Sequence, residues 1–244
     1  MPRDVVAGGG ALTLHRRILQ ELERRIVGGE WPPGHRIPSE EALAASYGCS
    51  RMTVNKALTQ LAAAGLVERR RKAGSFVMRP QSRSAVLEIR DVRAEVVALG
   101  EPYRHEVVER KVERGRMSAS GPWPGEVVAR VYLVTVHYAA ARVFCVEQRW
   151  IRLDTVPAAA EQAFEDLAPG AWLVRHVAWT TAEHRIRAEA VSTELARRMK
   201  IRRGTPLLVI ERATWLAGRP VTFVRLAYPG DAHELVARFS PSVP

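Results

Sequence analysis

A short run in the first quarter of the chain carries side chains that can read DNA. Its members are Arg51, Thr53, Asn55 and Lys56. Arginine and asparagine can donate paired hydrogen bonds to base edges in a major groove, and a lysine can contact a phosphate. The chemistry predicted for this run is recognition of double-stranded DNA. A pair of ordinary surface helices with a solvated polar face is the alternative.

Two short helices joined by a tight turn would position these side chains. Ser39 can cap the first helix, Gly48 marks the turn, and Ser50 can cap the second helix. The apolar residues of the second helix recur at helical spacing, at Val54, Ala57, Leu58 and Leu61. The polar run therefore lies at its exposed N-terminal end, and the pattern predicts a helix-turn-helix.

A cationic turn follows the second helix. Residues 66–69 and 75–78 are predicted as two strands. The turn between them contains Arg70, Arg71, Lys72 and Gly74. Such a hairpin is typical of the wing of a winged helix, which reaches phosphates or the minor groove. Ser39 and Ser50 are further candidate DNA contacts, and Arg36 is either a phosphate contact or a solvated side chain.

Charge and composition agree with a nucleic-acid partner. The 244 residues carry a net charge of +11, and residues 1–83 hold 14 Lys and Arg against 7 Asp and Glu. The basic excess is concentrated around the predicted motif. The length of 244 residues is typical of two domains. We expect a cytoplasmic protein, since no segment resembles a signal peptide or a membrane span and the two cysteines have no metal-site spacing. No metal or cofactor is predicted.

Residues 12–79 resemble the DNA-binding domain of GntR-type bacterial transcription regulators. The resemblance lies in the segments 38–40, 50–58, 65–66 and 74–77. It implies a winged helix in which Arg51, Thr53 and Asn55 touch the operator. Gly74 and its neighbours would form the wing tip.

The sequence pattern of the second half of the chain is typical of an antiparallel sheet. Residues 107–112, 127–137, 143–153, 207–215 and 221–228 are predicted strands, and 157–166 and 192–199 are predicted helices. Residues 80–94 are predicted as a linker, and 89–99 could be a helix or extended. The fold class is therefore α+β, with an N-terminal winged helix-turn-helix and a C-terminal antiparallel-sheet domain.

Residues 95–242 resemble the UTRA domain, an effector-binding and dimerisation domain of one GntR branch. The resemblance lies in the segments 147–151, 179–188, 211–215 and 228–231. It implies a fold similar to chorismate lyase. Within the branch the segments are most similar to regulators of histidine utilisation, which implies urocanate as the inducer.

The resemblance also suggests where the effector binds. In sugar-phosphate-responsive members, the positions that match His137, Glu147, Thr222 and Tyr228 line the ligand site. Those members carry two arginines where this chain has Thr135 and His137. The phosphate clamp is thus missing, which argues against a phosphorylated sugar.

Urocanate has a carboxylate at one end and an imidazole at the other. Glu147 and Arg149 lie two apart on a predicted strand and so share a face, although they could form a mere surface ion pair. Arg149 or Arg225 could pair the carboxylate. The candidates for bonding a ring nitrogen are His137, Glu147 and Tyr228.

Two alternative functions have to be considered. A GntR-type regulator could sense a different small carboxylate or an amino-sugar phosphate. A chorismate-lyase-like enzyme is disfavoured, because the chain has no nucleophile elbow, metalloprotease motif or phosphate loop. We therefore expect a homodimeric repressor without enzymatic activity, bound to a palindromic operator.

Overall fold

The computed structural model describes residues 14–78 and 91–235. Within them the chain forms a small helical unit with a two-stranded hairpin, followed by a unit built on a six-stranded sheet. The predicted α+β class and the order of the two units are confirmed. Most of the predicted linker, 80–94, and the end of the predicted second domain, up to 242, lie outside the described residues.

The N-terminal unit is a winged helix. Its elements are α1 (Leu14–Val27), α2 (Glu40–Tyr47), α3 (Arg51–Ala63), β1 (Val67–Arg70) and β2 (Gly74–Val77). Helix α1 buries Ile18, Leu22 and Ile26, which recur every four residues. Gly48 ends α2 in the left-handed conformation, at φ +60°, which favours glycine.

The second unit is an antiparallel sheet with strand order β3-β4-β5-β8-β7-β6. The strands are β3 (Tyr103–Arg116), β4 (Val127–Ala139), β5 (Arg142–Arg152), β6 (Thr181–Ala190), β7 (Pro206–Leu216) and β8 (Arg219–Pro229). The helices are α4 (Val92–Ala98), a 3-10 turn (Pro157–Glu161), α5 (Pro169–His176) and α6 (Thr193–Met199). The α4 helix resolves the ambiguity over residues 89–99 in favour of a helix, starting at Val92.

Helices cover the two faces of the sheet at different places. On one face, Ala196 and Met199 of α6 pack on strand residues such as Val146 and Val209. On the other face, α4 packs on Phe144 and its neighbours. Burying apolar residues from both faces is what stabilises an open antiparallel sheet.

Helix α5 belongs to the second unit and packs against the first. One hydrophobic cluster contains Leu66 of the winged helix together with Trp172 and Leu173 of α5. The backbones come close as well, because a Cβ atom added to Gly29 would lie 3.2 Å from the carbonyl oxygen of His176. The last turn of α5 therefore rests against the DNA-binding unit.

Three elements differ from the sequence prediction. The segment predicted as a helix, 157–166, forms only a 3-10 turn that ends at Glu161. Phe164 has a φ of +61°, so the backbone cannot continue there as a right-handed helix. Strand β6 and helix α5 were not predicted. Within the described residues, no helix is long and apolar enough to cross a membrane.

Candidate functional site

The N-terminal end of α3 is held by its cap. The Ser50 hydroxyl accepts a hydrogen bond from the Thr53 amide at 3.2 Å and lies 3.0 Å from the Thr53 hydroxyl. The buried face of α3 packs in the core, so Arg51 and Lys56 remain exposed or partly exposed. The predicted recognition helix therefore presents its polar side chains outward.

Glu40 organises these side chains, a role that was not predicted from the sequence. Its carboxylate accepts hydrogen bonds from Arg51 Nε at 3.1 Å, Asn55 Nδ2 at 2.8 Å and Arg69 Nη2 at 2.5 Å. Burial by itself would raise the pKa of Glu40, but the bonds from Asn55 and Arg51 lower it below the usual value. Glu40 is thus an anion that holds Arg51 and Asn55 of α3 and Arg69 of β1.

The wing and α3 enclose a groove. Seven predicted DNA contacts line it: Arg36, Ser39, Arg51, Arg70, Arg71, Lys72 and Gly74. Arg70 is partly neutralised by Glu68 at 2.9 Å and lies over the Phe76 ring at 4.9 Å. Ser50, Thr53, Asn55 and Lys56 are not part of its lining; they lie along α3.

Replacing Arg70, Arg71 and Lys72 together with glutamine should weaken binding to operator and to random DNA alike. The reason is that a cationic turn acts through phosphates. The slope of log affinity against log salt should fall by about 0.9 for each phosphate that is no longer neutralised. Fluorescence anisotropy over a salt series measures both quantities. A weakening confined to the operator would contradict the phosphate role.

The second candidate site is a cavity on one face of the large sheet. Its lining includes Asp91, His137, Glu147, Arg149, Gly170, Leu173, Trp179, Arg212, Thr214 and Thr222. These residues come from four neighbouring strands, β4, β5, β8 and β7, and from α5 and the loops. The strand order brings together residues that are far apart in the sequence.

A continuous polar network crosses this cavity. The Tyr103 hydroxyl lies 2.8 Å from His137 Nδ1, and His137 Nε2 lies 3.2 Å from Glu147. Arg149 Nε donates to the other Glu147 oxygen at 2.5 Å, and Arg149 Nη1 lies 3.4 Å from the Thr222 hydroxyl. Glu147 and Arg149 therefore form a buried ion pair and not a surface one. Tyr103 was not identified from the sequence.

The charge state of the network follows from its contacts. Burial alone would raise the pKa of Glu147, but Arg149 and the bond from His137 outweigh it and hold the pKa well below its usual range. Glu147 is thus ionised at neutral pH. Because a carboxylate only accepts, His137 Nε2 carries the proton toward it, and in the neutral ring Nδ1 accepts from Tyr103.

Arg212 is a second buried guanidinium in the cavity, and its role was not predicted from the sequence. Its Nε donates to His184 Nε2 at 2.5 Å. Burial, followed by repulsion from Arg149, lowers the pKa of Arg212 to about 10, so the group stays charged at neutral pH. The signal was present in the segment 211–215, where Arg212 and Thr214 alternate onto one strand face.

Two predicted effector contacts lie elsewhere. Arg225 is three residues from Thr222 on β8, so it points to the opposite face, where it pairs with Glu189 and lies 3.5 Å from Gln148. Tyr228 shares the face of Thr222 but borders a neighbouring cavity, with its ring stacked on His233 at 3.9 Å. The structure thus brings together His137, Glu147, Arg149 and Thr222.

Helix α5 closes the cavity. A Cβ atom added to Gly170 would lie 3.0 Å from Arg149 Nη2, so glycine permits the helix to approach the ion pair. The open volume is about 40 Å³, room for a few water molecules. A ligand with an aromatic ring needs more space, so its binding must displace α5 or lining side chains.

Comparisons with known proteins match both units. The model for bacterial regulatory proteins of the gntR family matches residues 14–77, and the UTRA domain model matches residues 125–234. The histidine utilization repressor of Pseudomonas putida is 35% identical over 96% of this chain and 94% of its own length. That of Klebsiella aerogenes is 32% identical over 92% and 94%.

Solved structures share the fold of the second unit. The C-terminal domain of the histidine utilization repressor from Pseudomonas syringae pv. tomato str. DC3000 superposes with a TM-score of 0.51 and 27% identity, covering 57% of this chain and all of that one. The effector domain of PhnF from Mycobacterium smegmatis gives 0.56 at 16% identity, covering 64% and 98%, which shows the fold alone.

Proposed function

Because the chain belongs to the GntR family of bacterial regulatory proteins and carries a UTRA domain, we propose that it represses histidine utilisation genes and is released from its operator by urocanate. The repressor acts in the cytoplasm as a homodimer. One winged helix covers only a few base pairs, so two copies related by two-fold symmetry would bind a palindromic operator.

The observation that carries the effector assignment is the buried set of charged and polar groups in the cavity. It offers guanidinium groups for a carboxylate, and His137, Glu147 and Thr222 for the nitrogens of an imidazole ring. Urocanate presents both groups on one flat molecule. The name shared by the two relatives described above, histidine utilization repressor, supports histidine utilisation as the regulated process.

Histidine fits the cavity less well than urocanate. It adds an ammonium group that must lose its water, at a cost of several kcal/mol unless it is paired. The negative charge of Glu147 is already balanced by Arg149, so this carboxylate could accept a further hydrogen bond from a neutral ring but could not neutralise an added ammonium group. The cavity therefore favours the deaminated ligand.

We expect urocanate to bind the purified protein at micromolar to millimolar concentration and to release fluorescent operator DNA, while histidine does so far more weakly. Isothermal titration calorimetry measures the first effect and fluorescence anisotropy the second. The Arg225→Met variant is a matched control, because it removes a guanidinium from the same strand on the opposite face. No heat with urocanate, together with clear binding of an amino-sugar phosphate, would transfer the assignment to a phosphate-sensing regulator.

A further inference from the structure

Arg212 carries a buried positive charge without a carboxylate partner in the described part of the chain. Its residue is 8% exposed, and none of the ion pairs formed within residues 14–78 and 91–235 includes it. Leaving a guanidinium buried and unpaired is costly, since the lost hydration is not repaid. Arg149, in the same cavity, has its charge matched by Glu147.

The partner that Arg212 does have is a neutral acceptor. Burial, followed by the nearby Arg212, lowers the pKa of His184 to about 4, so the imidazole is uncharged at neutral pH. It accepts the Arg212 Nε hydrogen and fixes the orientation of the guanidinium. Among the residues that the structure describes, no group bonds the two Nη atoms, and their N–H groups form the fork that suits a carboxylate.

The other acid in the cavity lining is already engaged. The Asp91 carboxylate caps helix α4 by accepting the backbone N–H of Arg93 at 3.2 Å. Asp91 is only half-buried, so its charge can stay hydrated, and the fully buried charges of the cavity are Arg149, Arg212 and Glu147, a net charge of +1. One monoanion balances this set, whereas a dianion would leave a negative excess away from water.

We propose that Arg212, held by His184, is the residue that binds the carboxylate of the effector, and that Arg149 serves to position Glu147. This inference rests on the proposed function, because it assigns the two ends of the proposed ligand. The imidazole end then lies toward His137, Glu147 and Thr222. The cavity is thereby selective for a monocarboxylate over a neutral analogue of the same shape.

The test compares urocanate with its primary amide, which has the same shape but no charge. In calorimetry, Arg212→Met should weaken urocanate binding by about 10- to 100-fold and leave amide binding almost unchanged. Arg225→Met should alter neither. Arg212→Gln serves as a second variant that can still donate to His184. If Arg212→Met and Arg212→Gln keep the preference of the parent chain for acid over amide, the assignment of Arg212 is wrong.

A second measurement separates this inference from the proposed function. If the parent chain gives no heat with urocanate, the urocanate assignment fails, and thermal unfolding with millimolar acrylate then decides the role of Arg212. Acrylate should raise the melting temperature of the parent and of Arg225→Met, but not of Arg212→Met. Equal stabilisation of all three, or none in the parent, would overturn the carboxylate site.

Discussion

The Glu147→Ala variant is expected to lose about 3–5 kcal/mol of unfolding free energy. Removing this carboxylate leaves the Arg149 guanidinium buried beside Arg212 without a counter-charge and deprives His137 of its acceptor. Urea unfolding followed by circular dichroism gives the difference. The variant should also fail to respond to urocanate, because the cavity would no longer keep its shape.

The control for this prediction is Glu183→Ala on β6. Glu183 pairs with Arg185 at 2.9 Å, but both side chains are exposed, so the loss should be at most about 1 kcal/mol. Equal losses in the two variants would show that burial of the Glu147 pair has no energetic consequence.

The stability of the parent chain should depend on pH through the same carboxylate. The folded-state pKa of Glu147 lies well below the ordinary 4.5, so its contribution is present above that pH and is lost as the pH falls below it. The difference in unfolding free energy between parent and Glu147→Gln should therefore shrink from about pH 4.5 downward. A constant difference across this range would contradict the shift.

Arg51→Ala is expected to lower operator affinity by about 1–3 kcal/mol per half-site. The side chain is 65% exposed at the start of α3, and it can exchange its bonds to Glu40 and Glu41 for bonds to DNA. Glu40 is partly buried but keeps its bonds from Asn55 and Arg69, and the pair with Glu41 is exposed, so the variant should fold normally. Fluorescence anisotropy with operator and with random DNA measures the specific part of the loss.

Arg198→Ala is the matched control, because it also removes one helical arginine, here a partly exposed one, together with its pair to a glutamate, Glu194 at 3.2 Å. It lies on α6 in the second unit. If both variants lose the same affinity, the effect of Arg51 is only that of net charge, and α3 is not the recognition helix.

Much of the fold could be predicted because the signals were local. Periodic apolar residues, caps and a positive-φ glycine define α1, α2 and α3, and valine-rich runs define β4 and β5. Strand β6 escaped detection because it is an edge strand, rich in Ala, Glu and Arg, with most side chains exposed. Helix α5 spans only eight residues and includes a glycine.

The candidate site could be predicted only where its residues lie close in the sequence. Glu147 and Arg149 share a face by simple alternation. The contribution of Arg212 depends on β8 pairing with β5 as well as with its hairpin partner β7, and no local pattern specifies the pair of β5 and β8. The prediction that Arg225 contacts the effector was wrong although the sequence held the necessary information. Arg225 is three residues from Thr222, and an odd spacing along a strand places two side chains on opposite faces.

Helix α5 has a consequence for how the two units respond to each other. Its first turn contacts the ion pair of the cavity, and its last residue contacts Gly29 of the winged helix. Under the proposed function, any factor by which the effector weakens operator binding must equal the factor by which the operator weakens effector binding. Operator DNA is then a thermodynamic antagonist of the effector, so the free repressor responds at lower effector concentrations than the repressor seated on its promoter.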